Sequence, residues 1–186
     1  MRRILILTLA GLAVAVWSAA QQRPTEPSKS VTAAVKSAWN AAKRNITESA
    51  DQMPETTYAF KPVEGVRTFG QILAHVAGTN YVYCSAAKGE KSPYAEDHFE
   101  KTATTKAAIV KALADSNAYC DAAYAAITDA SAVEMVASPF GSGQVQRVSP
   151  LISNAGHNAE HYGNLVTYFR IKGMVPPSTL REQRGR

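Results

Sequence analysis

From about Lys29 to Met53, apolar positions Val31, Val35, Ala38, Trp39, Ala42 and Ile46 recur at intervals of three and four. That spacing lines up side chains on one face of an α-helix. Pro54 ends the segment. Glu55 to Arg67, with Pro62 and Gly65, reads as a connector that carries Tyr58 and Phe60. A second helix is predicted from Thr68, where Gln71 completes a capping-box pattern, to Gly89, the C-terminal stop. Its apolar stripe runs through Phe69, Ile72, Leu73, Val76 and Tyr83. A charged loop from Glu90 to Lys101 contains Pro93 and His98. The third helix is predicted over about Thr102 to Thr128, with Ile109, Leu113, Cys120, Tyr124 and Ile127 on its inner side. Ten alanines between 103 and 126 allow its neighbours to approach closely. Asp129 to Val148, with Pro139, Gly141 and Gly143, is the least regular stretch. Ser149-Pro150 then reads as an N-cap followed by proline at the first helical position, opening a fourth helix to Lys172. Gly173 stops it, and Pro176-Pro177 is expected to prevent resumption. Four helices of roughly 20 to 27 residues without a strand pattern predict an all-α fold, a four-helix bundle.

The N-terminus has a different character. Met1-Arg2-Arg3 is a short positive region, Ile4 to Val16 is apolar, and Ser18-Ala19-Ala20 offers small residues for cleavage before Gln21. This is the pattern of a signal peptide over residues 1–20. The apolar run is shorter than the ~20 residues that span a bilayer, and no cysteine follows it to take a lipid anchor. The alternative is an uncleaved anchor helix. The expected organisation is a signal peptide (1–20), a polar leader (21–28), one bundle domain (29–178) and a basic C-terminal tail (179–186). The expected location is periplasmic or secreted, with no stable membrane insertion after cleavage.

Composition changes this picture little. Hydrophobic residues at 46% and charged residues at 19% exclude a disordered chain. The formal charge of +5 weakens on inspection. Removing Arg2 and Arg3 from 20 basic residues leaves 18 against 15 acidic, and Arg181, Arg184 and Arg186 load the tail. The folded body is nearly neutral, so nucleic acid is not an expected partner. Export does change the reading of Cys84 and Cys120, because an oxidising compartment favours a bridge between them, joining the second and third helices. Two separate buried thiols are the alternative.

Four histidines carry the candidate chemistry. His157 and His161 stand i, i+4 on the fourth helix, where Cβ atoms lie about 6 Å apart and two ring nitrogens can share one metal ion. Asn154, His157, His161, Asn164 and Tyr168 form one polar stripe beside the apolar stripe Leu151, Leu165 and Phe169. His75 flanks the apolar stripe of the second helix together with Ile72 and Thr79. A lone inward histidine is more often a hydrogen-bonded core residue, but three on bundle-facing flanks can be brought together by facing helices. His98 reads as a solvated loop residue. His157-Asn158-Ala159-Glu160-His161 also spells the inverted zinc-peptidase motif, which needs an α/β context this chain does not offer. Glu160 is the candidate catalytic base or outer acceptor, against a plain exposed helical glutamate.

The segments Thr68-Phe69-Gly70-Gln71-Ile72-Leu73-Ala74-His75-Val76-Ala77 and His157-Asn158-Ala159-Glu160-His161-Tyr162-Gly163-Asn164-Leu165 together resemble the DinB-like (YfiT-like) superfamily of four-helix bundles. Tyr168-Phe169-Arg170, Gly173 and Pro176-Pro177 fit the same pattern, as do Met53-Pro54, Tyr58, Phe60-Lys61-Pro62 and Val66-Arg67. The resemblance spans about residues 30 to 178. It implies a divalent metal, zinc or nickel, held by His75, His157 and His161. Family members include thiol-dependent transferases and isomerases and proteins read as hydrolases, many without an assigned substrate, and the damage-inducible name implies no DNA binding. Two departures stand out: Asn164 occupies a position where glutamine is frequent, and export separates this chain from the cytosolic thiols its relatives use.

The expectation is therefore an exported metal-binding bundle, an enzyme of hydrolase or transferase type using a three-histidine site with an open water position. Its small-molecule substrate is not legible, and homodimerisation is open. The competing classes are a non-catalytic metal- or ligand-binding bundle and an assembly bundle that keeps its histidines without metal.

Overall fold

The computed structural model describes residues 30–185. The signal-peptide and leader expectations, and Arg186, lie outside the described residues. Four long helices make the body: α1 (Val31–Gln52), α2 (Phe69–Lys88), α4 (Lys106–Ala126) and α5 (Val148–Ile171), with α3 (His98–Thr102) and α6 (Pro177–Arg184) as short additions. Each long helix packs on two others, α1 and α2 both lying between α4 and α5, which closes a four-helix bundle. None of the described helices is long and apolar enough to cross a membrane.

Helix boundaries follow local chemistry where caps exist. Ser30 accepts from the Ala33 amide, and Thr68 and Gln71 form a reciprocal capping box. Gly89 closes α2 at φ 76°, a left-handed conformation that favours glycine. Four expectations are corrected. The third helix starts at Lys106, capped by Thr105. The β-branched run Thr102, Thr104, Thr105 breaks it from α3, and Ala103 tucks into the core between them. The irregular stretch contains an antiparallel hairpin, β1 (Met135–Ala137) with β2 (Gln144–Gln146), in the register Val136 to Val145. Three-residue strands are too short to show a period. Helix α5 begins at Val148, with Arg147 rather than Ser149 at its cap position and no side-chain cap bond. Lastly, Pro177 sits in the first turn of α6, where its fixed φ and missing N–H are tolerated. The expected tail is thus largely helical, and Arg181 holds α6 to Glu48 and Asn45 of α1.

The interior is layered. One apolar cluster gathers Met53, Phe69, Leu73, Leu165 and Phe169; another gathers Trp39, Tyr124, Leu151 and the Cys84–Cys120 disulfide. Polar side chains lie between them. Asn158 of α5 donates to Asn80 Oδ1 of α2 at 3.1 Å, and Asn80 donates to Ser116 Oγ and Asn117 Oδ1 of α4. A buried polar group must find partners in this way or carry a desolvation cost. The three candidate histidines sit at the α2–α5 side of this bundle.

The disulfide ties α2 to α4 across 36 residues. On the chain-entropy view, closing a loop of that size stabilises by about 4 kcal/mol. Replacing both cysteines with alanine is expected to lower the melting temperature by roughly 8 to 16 °C for a domain of this size. In the native protein both sulfurs should alkylate only after reduction; free thiols, or a melting point indifferent to the double substitution, would remove the bridge from this account.

Candidate metal centre

Helix geometry accounts for the convergence. His157 and His161 lie one turn apart on α5, and His75 projects from the facing stretch of α2. His75 is 4% exposed, His161 9% exposed and His157 half-buried. His75 Nε2 and His161 Nε2 each stand 3.1 Å from His157 Nε2, and suitable nitrogens of all three rings lie within 4.8 Å of one another. Nitrogens bound tetrahedrally to zinc at 2.0–2.1 Å are about 3.4 Å apart, so the spacing fits a shared ion.

The opposite edge of each ring has its own partner. His75 Nδ1 lies 3.1 Å from Glu100 Oε1, with Glu96 at 3.8 Å. His157 Nδ1 lies 3.4 Å from Thr79 Oγ1, whose hydroxyl hydrogen is directed at the helix carbonyls of His75 or Val76. That leaves the Thr79 oxygen as acceptor. His161 Nδ1 faces the Asn164 amide nitrogen at 3.4 Å, a contact that steadies the ring from its outer edge. His75 and His157 are thereby held as the Nδ1–H tautomer with the Nε2 lone pair free. The Nε2 lone pairs of His75 and His157 face each other at 3.1 Å and repel unless a cation lies between them. Outer acceptors that fix the tautomer are the usual companions of metal-binding histidines.

Electrostatics agree with neutral rings. Burial first, then the neighbouring His75 charge and Arg67, lower His157 to about 4. Burial, His157, His75 and Arg67 lower His161 to about 3. His75 is lowered too, by burial and then Arg67, although Glu100 and Glu96 oppose this.

The surroundings are asymmetric. Tyr83 packs 5.8 Å from the His157 ring, and Phe140 from the hairpin loop packs on Tyr83. On another side a cavity of about 680 Å³ opens beside His161. Arg67 grips Glu100 through Nε at 2.9 Å and Nη2 at 3.2 Å.

Of the residues singled out from sequence, His75, His157 and His161 come together, with Asn164 at their edge. Asn154 lies deeper, beside the disulfide. Glu160 is exposed on α5. His98 is half-buried and stacks on Tyr94, apart from the cluster. The carboxylate at the cluster is that of Glu100, which sequence reasoning missed. It arrives from α3, 25 residues beyond its partner, so no helical spacing announces it. That loop lies close against α2 because Gly78 has no side chain; a methyl group there would collide with the Glu96 carbonyl.

The sequence model of the DinB superfamily matches residues 38–165. A crystal structure of a DinB-like protein from Bacillus cereus superposes with a TM-score of 0.62 at 15% identity, covering 80% of this chain and 96% of that one. A conserved protein from Enterococcus faecalis gives 0.59 at 16% identity, over 76% and 96%. A mycothiol-dependent maleylpyruvate isomerase gives 0.60 at 16% identity, over 72% of this chain and 60% of that one. No curated protein matches the sequence significantly.

Proposed function

The chain belongs to the DinB superfamily, and on that premise we propose a metal-dependent enzyme of hydrolase or transferase type, holding one divalent ion of the zinc or nickel kind on His75, His157 and His161. The observation that carries this reading is the convergence of three Nε2 atoms whose rings are each held from the Nδ1 edge. A divalent ion on three neutral imidazoles supplies Lewis acidity, keeps a coordination position for a reactant, and lowers the pKa of water there to about 7.

The protein's own groups have separable tasks. Glu100 orients His75 and raises its basicity, while Arg67 holds Glu100 in place. Tyr83 and Phe140 keep water from one side of the rings. The cavity beside His161 admits a small molecule, which favours a catalytic centre over a purely structural one. Glu160, exposed on α5, is assigned no step. Similarity to the mycothiol-dependent isomerase concerns the fold, and thiol dependence is not carried over. Export completes the proposal, and the Cys84–Cys120 bridge supports an oxidising compartment.

The test is metal content. Protein produced without a histidine tag and dialysed against metal-free buffer is expected to retain close to one divalent ion per chain. Stoichiometry near zero, unaltered after incubation with zinc or nickel, would sink the proposal.

A further inference from the structure

Resting on the metal-site reading above, we propose that the cavity beside His161 takes a small organic carboxylate, with Arg67 binding the carboxylate while the reacting group faces the His161 side of the metal centre. The cavity's volume, about 680 Å³, falls within the roughly 300–1,000 Å³ of small-molecule sites. Its wall combines Arg67, Gln71, Asn164 and Thr167 with the apolar Val66 and Ile72, and no aspartate or glutamate among the described residues lines it. Among the described residues the one formal charge lining the cavity is therefore the guanidinium, and His161 of the proposed metal site lines the same cavity.

Arg67 is built into this position. Its Nε and Nη2 bind Glu100 at 2.9 and 3.2 Å, which fixes the guanidinium plane. The Tyr168 hydroxyl donates to the Arg67 carbonyl at 2.6 Å, fixing the backbone. Glu100 uses only two of the nitrogens, and the side chain stays 43% exposed, so Nη1 and its two N–H groups remain for a ligand. Glu100 is also shared with His75, at 3.1 Å. With a divalent ion on the histidines, the array of ion, Arg67 and Glu100 is net positive, and a positive, concave wall concentrates anions. A planar guanidinium matches a planar carboxylate better than a neutral amide.

Cobalt-loaded protein gives the readout, because ligands entering beside the ion change its visible spectrum. The probes are acetate, malonate, succinate and the neutral succinamide, titrated at fixed ionic strength. Acetate reports the ion alone, whereas a diacid can reach the ion and Arg67 together. The better diacid is expected to bind at least ~10-fold more tightly than acetate or succinamide. Arg67→Gln should bring that margin to within about twofold while cobalt stays bound, and Arg67→Lys should keep part of it. Equal affinity for diacid, acetate and diamide overturns the inference, as does a margin untouched by Arg67→Gln. Inorganic phosphate outcompeting both diacids overturns it as well. If Arg67→Gln fails to fold, Arg67→Lys decides, with an unchanged margin counting against the proposal. A protein that takes up no cobalt overturns the metal reading and this one with it; cobalt uptake without diacid preference overturns this one alone.

Discussion

Replacing any one of His75, His157 and His161 with alanine is expected to abolish stoichiometric metal binding. Two imidazoles remain in each variant, and the lost donor is a coordinating nitrogen rather than an outer partner. Outer partners typically cost 10- to 100-fold in affinity, so a ligand should cost more than about 100-fold. Glu100→Gln, which disturbs only the Nδ1 side of His75, is expected to fall inside the smaller range. His98→Ala is the control, since that ring stacks on Tyr94 and lies outside the cluster. The same series has a stability signature. The ligands come from α2 and α5, so the ion ties two helices, and at a hundredfold excess over its dissociation constant it stabilises by about 2.7 kcal/mol. For a domain of this size that is roughly 5 to 11 °C of melting temperature, expected in the native protein and His98→Ala and missing from the three ligand variants. Calorimetry with and without zinc reads it directly. Should His75→Ala keep full metal while His157→Ala loses it, α2 donates no ligand and the three-histidine centre is wrong.

The sequence made part of this centre visible and hid the rest for identifiable reasons. The spacing of His157 and His161 is a property of one helix, so a single period reveals it. Placing His75 opposite them required that α2 and α5 face each other, which apolar stripes on both helices allow and their packing in the bundle provides. Thr79, one turn after His75, was likewise within reach of a helical wheel. Glu100 was not, because its position depends on how a loop folds back over Gly78, a long-range close approach with no local period. The fold shows the same division. The Thr68–Gln71 capping box and Gly89 act within one turn and were legible. The break at Ala103–Thr105 and the hairpin were not, because the first depends on burying Ala103 and the second on pairing three residues across a six-residue loop. The resumption of helix at Pro177 depends on the docking of Arg181 against α1. Proline marks either the end or the beginning of a helix, and only that contact decides which.

Acid should destabilise the metal-free protein through the same histidines. In the unfolded chain an imidazole takes up its proton near 6.5. In the folded protein His157 does so only at about 4 and His161 only at about 3, chiefly because burial disfavours the charged ring. Between those values the unfolded state holds more protons than the native state, so stability rises with pH. The contribution is fully present above about 6.5 and is lost as pH falls through the window down to about 4 and 3. Near pH 5 unfolding should take up close to two protons at this pair. Each proton is worth about 1.4 kcal/mol per pH unit in full, and the partial exposure of the rings reduces the pair to on the order of 1–2 kcal/mol per unit. Urea unfolding of EDTA-treated protein between pH 7 and 4.5 measures the slope. The double variant His157→Gln, His161→Gln removes both titrating groups, and its slope is expected to be shallower by about that amount. It should also unfold at higher urea than the native protein at pH 5, since the crowding of the ring nitrogens and two depressed imidazoles are relieved together. Parallel slopes for native and double-variant protein would mean that the rings are charged or solvated in the folded state, and the neutral, ion-ready arrangement would have to be given up.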